Sequence, residues 1–153
     1  MAGALIKCGD FEGEDKSGSS IAAVLTEAFR RSFARKPNGR VASKFAALLG
    51  RRRDGVEGVV ERANLSVRYD ECGRIPPDVC AHLLPALRSY QREVLARLGV
   101  SDDIDAILPH MQRSTGAKYG WREDDGWRAY CLHDLVQACE LSARDHRDVE
   151  ILW

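Results

Sequence analysis

The chain has 153 residues, 44% apolar and 30% charged, the composition of one soluble globular domain spanning 1–153. Its 23 Lys+Arg balance 23 Asp+Glu, which argues against a histone-like nucleic-acid coat or a polyacidic tail, since both carry a large net charge. No apolar run reaches the ~18 residues that cross a bilayer, and the opening Met1–Lys7 is too short for a signal peptide, so a cytoplasmic protein without a membrane role is expected.

Residues 1–18 are rich in Gly and acids (Asp10, Glu12, Glu14, Asp15). They read as a flexible or loosely attached segment with a short strand at Ala4–Lys7. Ser19 or Ser20 then caps a helix whose apolar stripe is Ile21, Val24, Leu25, Ala28, Phe29 and Phe33. Lys36-Pro37-Asn38-Gly39 breaks it. A second helix, with Val41, Phe45, Leu48 and Leu49 inward, closes at Gly50 and completes an αα-hairpin. Gly55–Arg74 reads as a loop with one short strand, ending in the turn Asp70-Glu71-Cys72-Gly73.

Pro76-Pro77-Asp78 opens a helix with an N1 proline and an acid in the first turn. Pro85 is expected to divide it into a short helix, Pro77–Leu84, and a longer one with Leu87, Tyr90, Val94 and Leu98 inward. The acids of Ser101–Asp105 begin a helix carrying Ile104, Ile107, Leu108 and Met111. A loop, Arg113–Gly126, precedes a last helix from about Gly126 to Asp145. Its inner face holds Trp127, Tyr130, Cys131, Leu135, Ala138, Cys139 and Ser142. Val149, Ile151 and Trp153 alternate as a half-buried terminal strand does. The expected class is α+β and mainly α-helical. It has five or six helices, an αα-hairpin near the N-terminus and at most a small sheet including the C-terminal strand.

Cys8, Cys72, Cys80, Cys131 and Cys139 are odd in number and form no CxxC, which points to reduced, mostly buried thiols. Cys80 with His82, and Cys131 with His133, are two apart on helices and so diverge by about 200°. Neither pair grips one ion, and no metal or cofactor is expected. The turn at Asp70 fails as a calcium loop because its third position is Cys72 and its twelfth is Ala81. There is no GxSxG, GxGxxG or GxxxxGK[ST], and His133-Asp134 diverge on a helix. No catalytic residue is expected. An enzyme with a site assembled from distant residues around His82, His110, His133 or the cysteines is kept as a further alternative.

Zero net charge hides a division. From Arg30 to Arg53 there are nine basic residues and no acid, whereas Trp121–Trp153 carries eight acids against four arginines. The basic block (Arg30, Arg31, Arg35, Lys36, Arg40, Lys44, Arg51, Arg52, Arg53) supports a nucleic-acid-binding alternative through the helical hairpin. It reads equally as a solvated face that answers the acidic C-terminal helix. Lys118–Trp127 sets aromatic residues among glycines and acids. Tyr119, Trp121, Glu123, Asp124 and Asp125 are candidates for contact with a partner, aromatics anchoring and acids steering. The alternative is that the tryptophans tuck under the loop to cover the core.

Asp70-Glu71-Cys72-Gly73-Arg74-Ile75-Pro76-Pro77-Asp78-Val79-Cys80, followed by Leu84-Pro85-Ala86-Leu87, resembles a segment of a family of small uncharacterised bacterial proteins of actinobacterial type. These show an acid-rich DxDG turn, a branched apolar residue, a Pro-initiated helix carrying Cys, then PxL; the second acid of DxDG is Cys72 here. With Asn38–Gly50 and Trp127–Trp153 matching the flanking helices, the resemblance covers about two thirds of the chain. It implies a helical fold and a bacterial cytosolic setting, and brings no activity. The functional expectation is a non-catalytic protein–protein interaction domain. It would be an immunity- or antitoxin-like neutraliser whose acidic, aromatic C-terminal region meets a toxin with a basic surface.

Overall fold

The computed structural model describes residues 3–14, 16–32, 72–111 and 124–152. The elements run β1 (Gly3–Cys8), β2 (Phe11–Glu12), β3 (Lys16–Ser17), α1 (Gly18–Ser32), β4 (Cys72–Ile75), α2 (Pro77–Leu98), α3 (Ile104–Met111), α4 (Asp125–Asp145) and β5 (Val149–Leu152). The strands form one antiparallel sheet in the order β2-β1-β5-β4, with β3 also paired to β1. β5 pairs Ile151 with Ile6 on one side and with Gly73 on the other, so the C-terminal strand is an inner strand.

Alternation decides the sheet's faces. Ala4, Ile6, Cys8, Ile75, Val149 and Ile151 are buried, while Lys7, Arg74 and Glu150 line the opposite face. On the buried side lies α4, whose Ala129, Cys131, Leu132, Leu135, Ala138 and Cys139 are all 0% exposed. It packs against α1, α2, α3 and β1 together, so it carries apolar residues almost all round. Leu83 and Leu87 of α2, Ile21 and Leu25 of α1, and Ile107 of α3 close the core around it.

The mainly helical α+β class holds among the described residues, but the counts expected from sequence do not. Among the described residues there are four helices where five or six were expected of the chain, and the sheet has five strands where at most a small one was expected. The division at Pro85 does not occur: α2 runs unbroken for 22 residues. A proline deprives the carbonyl four residues back of its hydrogen bond, but Pro85 and Ala81 both lie on the exposed face, where water can take that carbonyl. Cys72-Gly73, expected in a turn, lies in strand β4. The second helix of the αα-hairpin, and any strand in 55–71, lie outside the described residues.

The strand expected at Ala4–Lys7 is present within β1. β1 is bonded on both sides, with Ala4 and Ile6 fully buried. Cys8 pairs with Phe11 across a two-residue turn, and Gly9 takes φ +58 there, the left-handed conformation that such hairpin turns demand. The chain then folds back so that the Gly13 amide donates to the Ile6 carbonyl at 2.8 Å. α2 ends on Gly99 (φ +70), whose amide reaches the carbonyls of Leu95 at 2.8 Å and Ala96 at 3.2 Å, a left-handed glycine cap. No helix among the described residues is long and apolar enough to cross a membrane.

Candidate functional site

Three helices meet at a chain of opposite charges. Glu27 and Arg31 are one turn apart on α1 and pair at 3.0 Å. Arg31 continues to Glu93 of α2 at 2.7 Å. Glu93 pairs with Arg97 at 2.9 Å, and Arg97 grips both carboxylate oxygens of Asp125 at 2.8 and 2.9 Å in the bidentate geometry that favours arginine. Asp125 also accepts from Arg128 at 2.9 Å. The Arg31 guanidinium holds the Glu93 carboxyl below the usual carboxylate range, and Arg97 does the same for Asp125. Arg31 lies 4.4 Å from the centre of the Tyr90 ring, a cation–π contact.

Beside this chain is a cleft of about 330 Å³ whose lining includes Ser20, Glu27, Arg31, Tyr90, Arg97 and Trp127. Ser19 or Ser20 was expected as a helix cap. Because α1 begins at Gly18, Ser20 falls inside the first turn, 4% exposed. Its hydroxyl has no hydrogen-bond partner among the described residues.

A second region differs in sign. Asp102, Asp103 and Asp105 at the start of α3 are exposed. Asp103 accepts from the Asp105 amide at 3.1 Å, and Asp102 meets Nδ1 of His133 at 2.8 Å. Leu108, one turn on, is the large hydrophobic left exposed among the described residues, at 38%. The end of α3 abuts the start of α4: a Cβ on Gly126 would lie 2.9 Å from the His110 carbonyl.

A third set of polar groups is internal. Lys16, with its side chain 0% exposed, is ion-paired to Asp134, 5% exposed. Its ammonium also donates to the Glu14 carbonyl at 3.0 Å and lies 3.9 Å from the centre of the Tyr130 ring. Asp134 accepts from the Glu14 amide at 2.9 Å. Cys8, Cys80, Cys131 and Cys139 are reduced and buried. The hydrogen bond to Cys80, then burial, push the Cys139 thiol well up, and burial pushes Cys131 up to about 12.

Of the partner-contact candidates, Asp124 and Asp125 are described and both serve the fold. Asp124 caps α4, accepting from the Gly126 amide at 2.6 Å, while Asp125 belongs to the charge chain. Tyr119, Trp121 and Glu123 lie outside the described residues. Of the basic block, Arg30 is exposed and 4.0 Å from Glu27, and Arg31 is held by Glu27, Glu93 and Tyr90. Arg35, Lys36, Arg40, Lys44, Arg51, Arg52 and Arg53 lie outside the described residues.

The histidines find separate partners from the cysteines two positions away. Cys80 donates to the Ile75 carbonyl at 3.5 Å, whereas the His82 ring meets the Ser32 carbonyl at 3.2 Å. His133 is held on both ring nitrogens, by Asp102 and by Gln137 at 2.9 Å. No group of three His, Cys, Asp or Glu side chains placed to hold a metal occurs among the described residues.

Sequence reasoning missed Glu93 and Arg97. The i,i+4 pairs Glu27–Arg31 and Glu93–Arg97 are readable signals; the links between helices are not. No protein-family model matches the chain, and no curated protein or solved structure is significantly similar to it.

Proposed function

We propose that the protein is a non-catalytic interaction domain, immunity- or antitoxin-like, that docks a cytoplasmic partner protein through an acidic surface. The observation that carries this reading is the start of α3, where exposed Asp103 and Asp105 stand beside exposed Leu108. Neither acid has an ion pair among the described residues, so both are available to steer a basic surface, while Leu108 supplies apolar contact. The segment that follows α3 in sequence contains Tyr119, Trp121 and Glu123, which stay candidates for partner contact. Asp124 and Asp125, which also cap α4 and join the charge chain, stay among the candidates.

The test is affinity capture from cytoplasmic extract with the wild type, the double variant Asp103→Lys/Asp105→Lys, Leu108→Asp and Trp121→Ala. The expected result is a basic protein retained by the wild type, released by salt and lost from the Asp103/Asp105 and Leu108 variants. Asp103, Asp105 and Leu108 are exposed, so their replacement leaves the core packed, and the lost Asp103 contact to the Asp105 amide costs about 1 kcal/mol of stability, which thermal melts of each variant measure alongside capture. Equal recovery with all of them would reject this surface.

A further inference from the structure

We propose that Cys80 of α2 and Cys139 of α4 form a redox-active dithiol, a modification site that closes to a disulfide under hydrogen peroxide and reopens with a thiol reductant. This stands apart from the docking proposal, since both residues are fully buried and neither belongs to α3.

The fold brings the two thiols together. Among the described residues, α2 and α4 pack against each other more extensively than any other two elements. At that seam the side chains of Cys80 and Cys139 are hydrogen-bonded to each other. The bonds run in one direction. Cys80 spends its proton on the Ile75 carbonyl, 3.5 Å away, so its sulfur is left to accept from the Cys139 S–H.

That direction gives the two sulfurs different roles. The hydrogen bond from Cys139 holds the Cys80 thiol below its ordinary value, although burial opposes it. Cys80 also closes the first turn of α2, where the positive end of the helix dipole favours a thiolate. The same hydrogen bond, then burial, keeps Cys139 protonated. Cys80 is therefore the attacking sulfur and Cys139 the resolving one.

The Cys80 thiolate attacks one peroxide oxygen. An S–O bond forms, the O–O bond breaks, and the departing hydroxide takes up the proton that Cys80 released, giving water. The Cys139 sulfur then attacks the Cys80 sulfenic acid. The S–S bond forms, the S–O bond breaks, and the Cys139 proton leaves with that hydroxide as a second water. Two thiols lose two electrons, and one peroxide becomes two waters. In the reverse direction two reductant thiols become one disulfide and return both protons to the cysteines.

The pair lies behind a surface cavity. Cys8, whose thiol interacts electrostatically with Cys80 and Cys139, lines a cavity of about 390 Å³ with Gly9, Phe11, Leu141 and Arg147. A molecule as small as peroxide can enter there. Burial pushes the Cys8 thiol up, which makes it a poorer nucleophile than Cys80. Cys131 is the internal control. It is equally buried, lies two turns or about 12 Å along α4 from Cys139, and has its thiol pushed up to about 12 by burial.

The experiment exposes the folded full chain to hydrogen peroxide, alkylates the remaining thiols in urea, and maps all five cysteines by non-reducing peptide mass spectrometry. The expected product is one Cys80–Cys139 cross-link with Cys131 alkylated, and dithiothreitol restores both thiols. Cys139→Ser should stop the reaction at a Cys80 sulfenic acid that dimedone traps. Cys80→Ser should slow the loss of the Cys139 thiol by about tenfold or more. The wild-type map decides the proposal even where a variant fails to fold. The proposal is overturned if the folded chain yields no Cys80–Cys139 cross-link, if Cys80 pairs with Cys8 instead, if Cys131 is oxidised as fast as Cys80, or if the cross-link forms only after urea has unfolded the chain.

Discussion

Lys16 and Asp134 meet inside the protein, at 0% and 5% side-chain exposure. Arg97 and Asp125, in the charge chain, meet near water at 44% and 21%. The internal pair joins residues 118 apart in sequence and ties the strip between β2 and α1 to the central helix. The surface chain joins three helices that the apolar core already holds together. Burial makes the first pair costly to disturb, because an unpaired charge there has no water to turn to. Solvent makes the second cheap to disturb. Charge count is therefore a poor guide to what holds this fold; the position of each charge relative to water decides.

The largest effect is expected where that contrast is cut. Asp134→Ala strands the Lys16 ammonium in the interior and should cost about 3–5 kcal/mol, measured by urea denaturation. Replacing both partners with apolar residues, Lys16→Met with Asp134→Leu, should recover much of that loss, since the desolvation penalty goes with the charges. A loss below about 1 kcal/mol for Asp134→Ala, the range of surface pairs, would show that water reaches the pair. Gly13→Ala comes next. A Cβ on Gly13 would run into the Asp134 carboxylate, so overpacking of about 1–3 kcal/mol is expected. Combined with Asp134→Ala, the cost should be less than additive because the clash goes with the carboxylate.

The sequence made one side of this comparison legible. The stripes of α1, α2 and α4 could be read because they repeat over several turns, and Leu87, Tyr90, Val94, Leu135 and Cys139 are inward as their spacing implies. Strands β2, β3 and β4, of two to four residues, are too short for alternation to register against background. Cys72-Gly73 looked like a turn because strand pairing with β5, nearly eighty residues on, is invisible to local pattern. Pro85 looked like a break because the cost of a helical proline depends on which way the bereft carbonyl faces. Asp124 and Asp125 were legible as a helix start, whereas the grip of Arg97 on Asp125 joins two helices and leaves no local trace. Lys16–Asp134 left no local trace at all: two ordinary charges become one lock only when topology brings them together.

Among the buried groups, Cys131 gives the alkaline counterpart of the Lys16 experiment. Burial holds its thiol at about 12 against a usual value of 9.0. Between those values the unfolded chain releases a proton that the folded chain keeps, so folded stability falls as pH rises. The slope approaches about 1.4 kcal/mol per pH unit above pH 9. Cys131→Ala should flatten this limb in urea titrations between pH 8 and pH 11 (the limits are approximate, about one unit either side of the usual thiol range), even though the cavity lowers stability throughout. An unchanged slope would mean that the Cys131 thiol ionises as readily folded as unfolded.

The smallest effect is expected at the surface chain, and there the sign matters more than the size. Arg97 keeps the Asp125 carboxyl below its ordinary value, so the pair contributes above the unfolded carboxylate range and is lost as pH falls through the depressed folded value. Near neutral pH, Arg97→Gln should cost about 1 kcal/mol or less, because both partners are partly solvated and screened. It should also make the acid limb shallower, since Asp125 then titrates more nearly as it does in the unfolded chain. Salt should shrink the difference between wild type and variant at neutral pH while leaving the Asp134→Ala loss nearly intact, because a buried pair is screened far less than an exposed one. If salt reduced both losses equally, the two ion pairs would share one environment, and the distinction between an internal lock and a surface chain would fail.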